Sequence, residues 1–231
     1  MQMQFPSNGK RATWAHVLPF AAWVLVAWAG GEPAGWKYLA RVVIGLASLL
    51  AFRPWRWYER PRLAGVPLAL AVGVGVFVLW VAPECAVPSA WRDFYLQWAV
   101  MPWGEAPDLS GGGAYAPAVC GWTLTAMRLA GAAFVISIIE EFFWRGFVYR
   151  WLLGRDFTKV SLQTLHVGLF IAVAVVFGFE HHRWLVGILA GLAYGGLTVR
   201  TGSIWPAVWA HATTNLLLGG YVLATGSYAF W

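Results

Sequence analysis

The sequence predicts an all-α protein, a polytopic transmembrane bundle of about seven spans with one short helix lying in the membrane interface. Three observations carry that prediction. Of the 231 residues, 60% are hydrophobic and 11% charged, whereas a soluble domain carries about 25% charged residues. The apolar residues fall in runs close to the ~20 residues a helix needs to cross a hydrocarbon core. Basic and acidic residues also segregate between successive connections, as one consistent membrane orientation requires. Residues 1–231 read as a single transmembrane domain.

The first apolar stretch, about 12–31, follows Lys10-Arg11. With Ala27-Trp28-Ala29 near its end it resembles a signal peptide, but it is long for one and reads as a retained helix. The second, about 36–52, ends at Arg53-Pro54 in a basic loop, 53–62, where two prolines stop a helix. The third spans about 64–82. A polar, mainly acidic region follows at 83–116. Within it Trp91, Phe94, Tyr95 and Trp98 recur at helical spacing behind Ser89, a candidate N-cap. That segment is too short to span and reads as an interfacial helix. A fourth helix is expected at about 122–153, a fifth at 163–181, a sixth at 184–199 and a seventh at 203–225. Gly202-Ser203 and Pro206 mark the start of the last, since proline suits an opening turn.

The net charge of +6 does not indicate nucleic acid, because the basic residues sit between apolar runs rather than on one polar face. They orient the chain instead. Lys10/Arg11, the 53–62 loop and the 150–159 segment face the cytoplasm if the N-terminus does, leaving 83–116 outside. The partner this implies is the lipid bilayer. Several of the 17 tryptophans sit near helix ends (Trp36, Trp55, Trp57, Trp91, Trp98, Trp103, Trp184), where an amphipathic ring suits the headgroup region. Cys85 and Cys120 make no metal framework. They read as two unrelated thiols, with a disulfide as the alternative if their shared loop meets an oxidising compartment.

Chemistry enters with Glu140-Glu141, set between Ala132–Ile139 and Phe142-Phe143-Trp144. One Asp at a spanning helix centre costs about 2.5–3.5 kcal/mol on an insertion scale, so two adjacent acids need a reason. Either the apolar helix stops at 139 and both reach headgroups, or they serve a site. Arg145 lies four residues after Glu141, on the same helix face, and can neutralise it. Glu140 points about 100° away and is free to face a cavity, where an unpaired carboxylate suits general-base work. The fifth run closes on Phe177-x-x-x-His181, with His182 beside it, and the seventh carries His211-x-x-x-Asn215. A lone histidine at a helix end is commonly an interfacial residue, and one His/Asn pair can merely link helices. Three apolar segments each bringing such groups strain that account. At about 1.5 Å per residue, Glu140, His181 and His211 lie about 20, 27 and 12 Å from their predicted inner helix ends. They meet only if helices tilt, break or start deeper.

Taken in this order, Glu140-Glu141-x-x-x-Arg145, Phe177-x-x-x-His181 and His211-x-x-x-Asn215 resemble the motifs of the CPBP family of CAAX prenyl endopeptidases, bacteriocin-processing proteins and related membrane proteases. The resemblance covers about 120–220, which would be the protease core. The run Ile136–Arg150 is similar to the bacterial branch associated with exosortase systems. The resemblance implies a glutamate-type endopeptidase: Glu140 and His181 activate water, His211 and Asn215 stabilise the oxyanion, and Glu141 and Arg145 form a structural pair. It implies no cofactor, a membrane-associated peptide or protein as partner beside the bilayer, and a bacterial inner (plasma) membrane as the location. Zinc held by Glu140, His181 and His211 is the alternative, although His-Glu-x-x-His is lacking. A transporter, scaffold or immunity factor on the same fold is the non-catalytic alternative.

Overall fold

A computed structural model describes residues 7–28, 34–85, 89–100 and 113–231. Eight helices follow one another, and no strand occurs among the described residues. They are α1 (Ser7–Trp28), α2 (Ala34–Phe52), α3 (Val66–Cys85), α4 (Ser89–Ala99), α5 (Pro117–Leu153), α6 (Val167–Phe179), α7 (Trp184–Thr201) and α8 (Trp205–Thr225). The predicted helices are all present, with ends shifted by a few residues. Trp103 and the 86–88 and 101–112 parts of the acidic loop lie outside the described residues.

The number of spans differs from seven. By length and composition α2, α3, α5 and α7 suffice to cross a membrane, while α6, with 13 residues, is too short. At about 1.5 Å per residue it covers about 20 Å of a ~30 Å hydrocarbon core. α1 and α8 are long enough but do not reach the same apolarity. Lys10, Arg11 and His16 dilute the first, and His211, Thr213, Thr214 and Asn215 the second.

Local chemistry sets the ends. Arg53 adopts a left-handed conformation (φ 51) just before Pro54, which stops α2. Gly202 (φ 66) closes α7, and Pro206 occupies the first turn of α8. Gly121 (φ 80) breaks the first turn of α5 from the rest, so its regular part starts where the sequence predicts, near 122. The α4 helix starts at Ser89 itself.

α5 is the shared wall of two packed clusters. On one side Val135, Ile136 and Ile139 meet Trp23 of α1 and Tyr38, Val42 and Leu49 of α2. On the other, Trp144 and Tyr149 meet α3, α6, α7 and α8 through Val76, Phe177, Tyr194 and Ala210. Leu68, Leu70, Val74, Val78 and Leu79 of α3 stay exposed, an apolar surface that suits acyl chains rather than water. α5 also departs from regular α geometry twice: π-helical turns at Gly131–Ile136 and Phe142–Val148 flank Ser137–Glu141. Such turns often mark functional sites.

Candidate active site

α8 runs antiparallel to α5, and their contacts set the depth of each polar group. Gly146 faces Ile204, Glu141 faces His211, and Ser137 faces Asn215. α8 therefore starts at the level of Gly146, well inside the Leu153 end of α5. α6 also lies against α5, with Phe170 on Tyr149 and Phe177 on Trp144. Because α6 is short, its end delivers Glu180 and His181 beside the middle of α5. A deeper start and an early stop thus achieve the convergence that straight, full-length helices would not.

Glu141 is fully buried. Its Oε1 accepts hydrogen bonds from Arg145 Nη1 (3.0 Å) and His211 Nδ1 (2.9 Å). Arg145 gives a further bond from Nη2 to the Gly191 carbonyl (3.1 Å) and lies over the Phe177 ring, 4.2 Å from its centroid. The predicted i,i+4 pair is present and also orients a histidine. A carboxylate held by a guanidinium only accepts, so His211 Nδ1 carries a proton and Nε2 is left to point onward. The Tyr194 ring stacks on His211 at 4.9 Å. Tyr194 is itself placed by donating its hydroxyl proton to Thr214 (2.7 Å), which donates in turn to the Gly73 carbonyl (2.9 Å).

Glu140 faces the opposite way, into a cavity of about 370 Å³ that His181, His211 and Asn215 also line. Its Oε2 lies 3.8 Å from His211 Nε2, beyond hydrogen-bond reach, and has no partner. His181 Nδ1 lies 3.0 Å from the Phe177 carbonyl oxygen. A carbonyl cannot donate, so this bond puts the proton on Nδ1 and leaves a lone pair on Nε2. Asn215 spends its amide N–H groups on the Ala132 carbonyl (2.8 Å) and Ser137 Oγ (3.3 Å). His182 is exposed and also reaches the cavity.

Several cavity groups received no role from the sequence. Glu180 accepts a hydrogen bond from Trp144 Nε1 (2.8 Å); Trp144 lies four residues after Glu140, a spacing that already puts the two on one face. Trp80 of α3 packs edge-on against His181. Glu84, grouped by sequence with the acidic loop, belongs to α3 and is buried, paired with Arg183 through Nη2 and Oε2 (3.0 Å). Arg183 also donates to the Ala229 carbonyl (2.9 Å). Both cysteines are free thiols.

The zinc alternative can be set against these positions. Among the described residues no three His, Cys, Asp or Glu side chains gather as metal ligands.

Fold and cavity define an integral membrane protein with a carboxylate, two imidazoles and an amide on one intramembrane pocket. Residues 121–217 match the family model described as "Type II CAAX prenyl endopeptidase Rce1-like". Over that segment, which holds all three motifs, the chain is Rce1-like, and the likeness to the CPBP family is thereby shown. No curated protein and no solved structure matches the chain.

Proposed function

We propose that this protein is a glutamate-type intramembrane endopeptidase that hydrolyses a peptide bond of a membrane-associated substrate. The observation carrying this reading is that Glu140, His181, His211 and Asn215, from three helical segments, line one cavity. A water held between Glu140 and the His181 Nε2 lone pair gives up a proton to one of them. The resulting hydroxide attacks the scissile carbonyl carbon. His211, backed by Glu141, donates from Nε2 to the developing oxyanion. Asn215 joins it by exchanging one of its present bonds for the substrate oxygen. Collapse of the intermediate returns the proton to the departing amine. A preorganised donor in a dry site is worth about 2.7–4 kcal/mol, by analogy with oxyanion holes elsewhere.

The reading assigns Glu141 and Arg145 to positioning rather than to proton transfer. It places the N-terminus in the cytoplasm of a plasma membrane and needs no metal.

The test is cleavage of membrane-anchored peptides by the purified protein in detergent, with Glu140→Gln beside the wild type. Removing a general base lowers the rate by about 10²- to 10⁴-fold, with the melting temperature unchanged. Chelators leave the wild-type rate intact. Undiminished cleavage by Glu140→Gln refutes the glutamate assignment, and chelator-sensitive cleavage with near-stoichiometric zinc favours the metal alternative.

A further inference from the structure

The same cavity holds a second cluster, of opposite charge. Arg41 of α2 and Arg128 of α5 both line it, and Arg41 lies outside the segment that matches the family model. Aromatic rings frame both guanidinium groups. Arg41 sits 4.4 Å from the Trp23 centroid and 5.6 Å from that of Tyr38. Arg128 lies 4.2, 4.8 and 5.7 Å from those of Tyr38, Tyr115 and Trp231. Sharing the Tyr38 ring keeps the two cations within about 10 Å of each other, where like charges in a low-dielectric setting repel. Neither forms an ion pair among the described residues. Arg128 Nε and the hydroxyl of the buried Tyr38 have no hydrogen-bond partner.

Two half-buried cations with no paired acid, and an Arg128 Nε left without a partner, offer this pocket donors that an anion can take up. We propose that Arg41, Arg128 and Tyr38 form a carboxylate-binding subsite for the peptide substrate. Guanidinium groups and a hydroxyl supply the donors that a carboxylate accepts, and the rings bury the side chain next to it. The subsite rests on the protease reading for its purpose. It adds a recognition element to that reading: the arginines hold a substrate carboxylate on the cavity wall that they line.

Binding can be measured apart from turnover. The full chain carrying Glu140→Gln is reconstituted in detergent micelles. It is titrated calorimetrically with N-acetyl-Phe-Leu bearing a free carboxylate, with its C-terminal amide, and with dihexanoyl phosphatidylglycerol. The free carboxylate is expected to bind at least tenfold more tightly than the amide. Arg41→Gln and Arg128→Gln abolish that preference, and Arg41→Lys and Arg128→Lys retain part of it with an unchanged melting temperature, which separates lost recognition from lost folding. Equal affinity for acid and amide overturns the proposal. So does a preference that survives both glutamine variants, or arginine-dependent binding of the phosphatidylglycerol alone, which identifies a lipid phosphate as the ligand. Since hydrolysis is not read, a carboxylate preference stands even if Glu140 proves not to be the base.

Discussion

Glu140 and Glu141 are adjacent in sequence and opposite in circumstance. Glu141 has a guanidinium and an imidazole on one oxygen, whereas Glu140 Oε2 has only His211 Nε2 near it, at 3.8 Å. Helical geometry decides this, because a one-residue step turns a side chain by about 100°. The pairing makes Arg145 a stability determinant first and an activity determinant second. Arg145→Met leaves Glu141 and His211 without their cation in a buried setting, and breaking such a pair costs about 3–5 kcal/mol. A marked fall in melting temperature in detergent is therefore expected, partly restored by Glu141→Gln in the same chain. An Arg145→Met variant that melts like the wild type contradicts a structural role for the pair.

At the scale of elements, the site depends on helices of unequal length and close approach. α6 stops after 13 residues and so puts His181 on the cavity that Glu140 lines. α3 and α8 run parallel, and they touch at Gly73. A Cβ there would lie 2.5 Å from the Ala210 carbonyl oxygen and 2.7 Å from Thr213 Cβ. The same contact carries the Thr214 bond to the Gly73 carbonyl, which holds Tyr194 against His211. Small residues let membrane helices approach in this way. Gly73→Leu should push α8 outward and destabilise the bundle by about 1–3 kcal/mol, the usual cost of overpacking. Proteolysis should fall more than the melting shift alone explains, because His211 moves with α8. A variant with native activity and melting would show that this approach is dispensable.

For the whole molecule, orientation is the open physical consequence. If the N-terminus is cytoplasmic, the α3 end faces outward, with Cys85 exposed and its sulfur 3.1 Å from the Tyr221 hydroxyl near the end of α8. A membrane-impermeant maleimide should add to Cys85 in right-side-out vesicles, and the label should disappear in Cys85→Ser. Labelling confined to inverted vesicles reverses the orientation. The Glu84–Arg183 pair ties the same end together: it joins α3 to the turn between α6 and α7, and Arg183 continues to the Ala229 carbonyl. The cavity thus lies among segments that are far apart in sequence.

Much of this was legible in the chain. Apolar run lengths, the prolines at 54 and 206 and the spacing of Glu141 to Arg145 act within a few residues, so the sequence alone determined the helices, their order and the pairing on one helix face. Glu140 pointing away from that pair follows from the same local geometry. The depth at which α8 begins, the early end of α6, the burial of Glu84 and the meeting of Arg41 with Arg128 were decided only by tertiary packing. Each depends on contacts between residues tens of positions apart, which hydropathy and periodicity do not encode. Helix identity is a local property of the backbone, whereas a pocket is formed by the packing that brings distant helix faces together.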